Sequence, residues 1–121
     1  MERMNKLIVS GAAAYAGLGI VSFLKPAMVP ALFGGSAPTV DSRTEIRAVY
    51  GGMPLAMAAT LAFAPSSAVP LGIATAGMAA GRAASGAMEQ RPPSVVTGAF
   101  IAIETGLAAV LLLGGRQVRK R

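Results

Sequence analysis

From Leu7 to Leu24 the chain runs LIVSGAAAYAGLGIVSFL, eighteen residues without a charge. That is close to the minimum a single helix needs to cross the ~30 Å hydrocarbon of a bilayer. Three more apolar runs follow, at about 43–64, 68–88 and 94–114, separated by prolines and Gly-Gly pairs. Of the 121 residues, 54% are hydrophobic and 13% charged, too few polar groups to cover the surface of a water-soluble domain. The expectation is an all-α membrane protein: one domain over 1–121, a four-helix transmembrane bundle with a basic tail at 116–121. MERMNK resembles the basic start of a signal peptide, but the apolar run that follows exceeds the usual ~7–15 residues and reads as a retained helix.

Breakers place the helix ends. KPAMVPALFGGSAPTVD is a connector, with room for a short interfacial turn over Met28 to Phe33. Ser42-Arg43-Thr44-Glu45 matches a capping box that would open the second helix. Pro65-Ser66-Ser67 makes a tight hairpin, Glu89 to Pro93 breaks the chain again, and Gly114-Gly115 marks the end of the fourth helix. Pro54 has no N–H to donate four residues back, so the second helix should kink at Gly51, Gly52 and Pro54. In lipid, helices associate through close approach of small residues. Gly77, Gly81 and Ser85, and then Gly98, Ala102 and Gly106, supply such stripes on the third and fourth helices.

Missing residue types exclude several chemistries. There is no cysteine and no histidine. Disulfides, thiol chemistry, His-ligated haem and nearly all zinc or copper sites are therefore removed. No metal and no bound cofactor are expected; a redox role would need a mobile carrier such as a quinone, or a partner subunit. The net charge of +6 does not point to nucleic acid, because four of the eleven basic residues crowd into RQVRKR at the end. Beside an apolar helix, such a tail is a topology and anionic-lipid signal. With four spans both termini share one side, holding Arg3, Lys6, Arg116, Arg119, Lys120 and Arg121 against Lys25, Arg43 and Arg91 opposite, with Arg47 near the boundary. Both termini are therefore expected in the cytoplasm, and the protein in a bacterial cytoplasmic membrane.

Five residues carry the functional argument. Glu45 has an ordinary role in the capping box. Arg47 shares a helical face with Tyr50, Gly51 and Pro54. Arg82 stands roughly 9 Å inside the outer end of the third helix, on a stripe with Thr75, Met78, Ser85 and Glu89. Glu104 lies about 15 Å from Ser94, near mid-membrane, where glutamate is too short to reach water. An unpaired charge there costs at least ~2.5–3.5 kcal/mol, so Glu104 should be protonated or paired, with Arg82 the natural partner. Arg47, Tyr50, Arg82 and Glu104 are expected to form one buried polar cluster. Two arginines against one carboxylate would leave a positive excess suited to an anionic head or a quinone carbonyl. The plainer alternative is an ion-pair staple that only fixes helix register.

Glu45-x-Arg47-x-x-Tyr50-Gly51-Gly52, followed by Gly81-Arg82 and Glu104, resembles a family of small bacterial membrane proteins named domain of unknown function 4345, related to DoxX-like proteins. The resemblance implies a four-helix membrane bundle and lends weight to these site residues. It implies no activity; through the DoxX-like relatives it suggests an accessory or quinone-side role in a membrane oxidoreductase complex. The leading expectation is thus a non-enzymatic accessory or assembly subunit, with membrane lipids and a larger complex or homo-oligomer as partners. The alternative is a binder or carrier of a small anionic or quinone-like lipophilic ligand at the cluster. An enzyme ranks last, since no nucleophile or metal set accompanies the charges.

Overall fold

A computed structural model describes residues 4–120. Arg3 and Arg121, used in the orientation count, lie outside the described residues. The described chain is helical, with no strand. α1 spans Lys6–Leu24, α2 Met28–Leu32 and α3 Val40–Ile46. A π-helical segment, Arg47–Gly52, joins α3 to α4, Met53–Phe63. A 3₁₀ turn at Pro65–Ser67 leads into α5, Ala68–Glu89, and a second break leads to α6, Val95–Arg119. Three helices are long and apolar enough to cross a membrane: α1, the continuous rod Val40–Phe63, and α6.

Besides an apolar core around Ile8, Tyr15, Leu61 and Leu111, the exterior is itself apolar and a few polar groups lie inside. Glu104, Thr75 and Ser22 are buried, while Phe63 is 81% exposed and Ile73 61%. An apolar exterior around a partly polar interior is the arrangement that hydrocarbon solvent favours. The chain is thus a membrane protein by the apolarity and length of its helices.

Local chemistry sets the ends. The Asn5 side chain accepts from the Ile8 N–H at 3.0 Å to cap α1, and its amide donates to the Gly114 carbonyl at 2.9 Å, tying the start of α1 to the far end of α6. The second span opens earlier than expected: Thr39 is its N-cap, and the capping box is Thr39 with Ser42 rather than Ser42 with Glu45. Ser42 turns back to Thr39, which leaves Glu45 exposed with no capping duty. α5 stops at Gln90, in a left-handed conformation (φ 55°) just before Arg91-Pro92-Pro93. The Ser94 side chain then caps α6.

The kink expected at Pro54 is resolved by widening the helix. Through Arg47–Gly52 the turn is looser, and the Met53 N–H reaches the Ala48 carbonyl, five residues back. A π segment absorbs one extra residue per turn, which lets the helix pass a proline without a sharp break.

Helix contacts run through glycines, but not the ones in the small-residue stripes. α1 is central: it packs on the π segment and α4 on one side and on α6 on another, while α5 packs along α6. A methyl placed on Gly11 would lie 2.5 Å from Leu111, and one on Gly19 would lie 2.6 Å from Leu55 and 2.8 Å from the Gly51 carbonyl oxygen. Gly114 and Gly115 likewise leave no room for a side chain against Ile8 and Val69. The pair is a helix contact and not a helix stop: neither glycine takes a positive φ, and α6 continues through them to Arg119. Gly77, Gly81, Gly98 and Gly106, by contrast, have open space where a side chain would be. Gly77→Ala should accordingly raise stability by up to ~1 kcal/mol through helix propensity alone. Thermal unfolding in detergent checks this, and a clear loss of stability would show that the position is a contact after all.

Candidate functional site

A cavity of about 660 Å³ opens among α1, α2, the π segment, α4, α5 and α6. Its volume lies inside the ~300–1,000 Å³ range of small-molecule sites. The α5 stripe noted in the sequence faces it: Thr75, Met78, Arg82 and Ser85 all line the wall. From α1 come Tyr15, Leu18 and Ser22, spaced three and four apart and so on one face. Val49, Tyr50, Met53, Pro54 and Met57 line it from the kinked rod, and Phe100, Glu104 and Leu107 from α6. The connector completes the lining with Met28, Val29, Leu32 and Phe33.

Arg82 and Glu104 meet as the sequence suggested. Arg82 Nε donates to Glu104 Oε1 at 2.5 Å, between side chains 25% and 9% exposed. The guanidinium also lies over two aromatic rings, 5.5 Å from the centre of Phe33 and 5.2 Å from that of Phe100. Those rings contact each other at 5.2 Å. Each such cation–π contact contributes on the order of 0.5–2 kcal/mol, more where water is excluded. The cluster thus joins α5, α6 and the connector. Among the described residues the two terminal nitrogens of Arg82 and the second oxygen of Glu104 have no hydrogen-bond partner.

Deeper along α1, the Tyr15 and Thr75 hydroxyls are hydrogen-bonded to each other. The Thr75 hydroxyl also donates to the Leu71 carbonyl at 2.8 Å, so Tyr15 is the donor of the pair and both polar groups are satisfied within the protein. Ser22 differs. It is fully buried, it lines the cavity, and its Oγ has no partner.

The other predicted residues divide. Tyr50 reaches the cavity wall, on the same side as Pro54. Gly51 is buried against Phe23, and Gly52 belongs to the π segment. Arg47 does not join Arg82 and Glu104: its Nε donates to the Phe23 carbonyl at 2.9 Å, and its guanidinium lies 5.9 Å from the Phe23 ring. It satisfies the last turn of α1 instead, and Glu45 is exposed outside the cavity. The positive excess expected from two arginines is therefore absent from the cavity wall. No group of His, Cys, Asp or Glu among the described residues could hold a metal ion.

Sequence reasoning missed Tyr15, Ser22, Phe33 and Phe100. For Ser22 a signal was present, the Tyr15–Leu18–Ser22 spacing on one face of α1. Phe33 carried none, because only the fold of the connector brings it over Arg82. No curated protein and no solved structure matches the chain. The profile of one family covers residues 4–114, which include every residue lining this cavity, and the chain belongs to that family, domain of unknown function 4345.

Proposed function

We propose that this is a four-helix integral membrane protein, termini cytoplasmic, that binds or carries a small lipophilic ligand with its polar end at Arg82 and Glu104. The bacterial cytoplasmic membrane is the setting this reading assumes. α5 serves as the fourth span. At 22 residues it is about 33 Å long, and it packs along α6. Its one internal charge is neutralised by Glu104.

The observation that carries the reading is the cavity. An ion pair that only fixed helix register would sit in a close-packed interior. Here the pair borders an apolar-walled space large enough for a ligand, with donors and an acceptor left over. Ligand sites in bundles are built this way, mostly apolar with a few convergent polar groups. An accessory-subunit role ranks second, because it would leave the space unexplained. A quinone or another lipid with a polar head fits the same general description.

Gly81 offers a clean test. It lines the cavity, and a Cβ there would meet nothing within 4 Å, so the Gly81→Phe side chain can start into the roughly 660 Å³ space and should fill part of it. Wild-type protein purified in lipid nanodiscs should retain a lipophile enriched over the surrounding lipid, and Gly81→Phe should lose it by roughly tenfold or more, about 1.4 kcal/mol of binding. If wild type shows no enrichment, or the filled variant retains it equally, ligand binding in this cavity is ruled out.

A further inference from the structure

We infer that the occupant of this cavity carries an uncharged, oxygen-rich head, of the kind a monoacylglycerol presents, and that Ser22 is one of its anchors. The inference rests on the ligand-binding reading above and narrows it to a chemical class.

Charge balance gives the first argument. Among the lining residues Arg82 is the one base and Glu104 the one carboxylate, and they already neutralise each other. Arg47, which would have tipped the balance, is turned to the Phe23 carbonyl. An anionic head approaching Arg82 would face the Glu104 carboxylate at close range in a poorly solvated site. A cationic head would face Arg82 in the same way. Either would lose its hydration without gaining an uncompensated counter-charge, and that loss is seldom recovered in a low-dielectric interior.

Unused hydrogen-bonding capacity gives the second. Arg82 has two terminal nitrogens free to donate, and Glu104 has one oxygen free to accept. Donor and acceptor side by side match a hydroxyl, which can accept from one and donate to the other. Ser22 Oγ is a further unused group, sealed from solvent and without a protein partner. Buried hydroxyls are nearly always paired, so a fully buried orphan on a cavity wall marks where another oxygen belongs. Tyr15 and Thr75 satisfy each other, which leaves that part of the wall to the ligand's apolar body, along with Leu18, Val29, Met57 and Leu107. A head with several hydroxyl or carbonyl oxygens can serve the Arg82–Glu104 pair and Ser22 together.

Two photoreactive probes with the same diazirine-bearing decyl chain separate the possibilities in nanodiscs: a monoacylglycerol and an alkyl phosphate. The glyceride should crosslink to cavity residues and be displaced by unlabelled monodecanoin, whereas the phosphate should label only the outer surface. Ser22→Ala should cut glyceride labelling of the cavity about five-fold, the loss expected for one ordinary hydrogen bond, while leaving thermal stability unchanged or higher. Cavity labelling by the phosphate at the level of the glyceride would overturn the uncharged head yet leave ligand binding standing. Wild-type labelling in Ser22→Ala would remove Ser22 as an anchor. If neither probe labels the cavity, the ligand-binding reading falls with it.

Discussion

Glu104→Leu should lower the stability of the folded chain by about 3 kcal/mol or more, because it strands the Arg82 guanidinium in a site with no other carboxylate. The loss is mainly the cost of an uncompensated charge, not the strength of the pair itself. Insertion scales for arginine at the centre of a membrane helix give a similar ~2.5–3.5 kcal/mol. Residual contact of Arg82 with Phe33 and Phe100 offsets part of this but supplies no counter-ion. The double variant Arg82→Met with Glu104→Leu should recover most of the loss, since both charges then leave together. Reversible unfolding in mixed micelles measures all three proteins. A Glu104→Leu variant as stable as wild type would mean that the pair is not buried in the way described.

Gly19→Leu should be comparably damaging for a purely steric reason. Even a methyl at this position would lie 2.6 Å from Leu55 and 2.8 Å from the Gly51 carbonyl oxygen. Leu55 can rotate away, but the Gly51 oxygen is backbone and cannot. A full leucine side chain must push α1 off the rod that contains the π segment, at a cost of about 1–3 kcal/mol or more. That displacement would also open the cavity wall at Leu18, Ser22 and Pro54. The expected result is a large drop in thermal stability, set against the small gain from Gly77→Ala. Equal effects at the two positions would show that glycine content, not close approach, governs this bundle.

That contrast shows what the sequence could and could not disclose. The all-helical character and the approximate limits of the long helices followed from apolar runs and prolines, because the bilayer fixes span length within a few residues. The pairing of Arg82 with Glu104 followed from depth: two opposite charges on adjacent apolar segments have few other partners. Contact glycines were not legible. Gly77 and Gly81 form as good a small-residue stripe as Gly11 and Gly19, and only the three-dimensional arrangement decides which stripe meets a neighbour. Arg47 was misplaced because an ordinary α-helical net was assumed. One extra residue in the π segment is equivalent to about 100° of helix rotation, enough to carry Arg47 away from the face of Tyr50 and Pro54. Nothing short of coordinates reveals that phase shift.

α5 is the one long helix outside the set apolar enough to cross a membrane unaided. Its arginine is answered by a carboxylate that the ribosome makes more than twenty residues later. If α5 is the fourth span, as proposed, biogenesis should have an order: the Ala68–Glu89 stretch would wait at the insertion machinery until Glu104 emerges, and the two helices would pass into lipid together as a hairpin. A nascent chain halted before that glutamate would keep its third apolar stretch on the aqueous side.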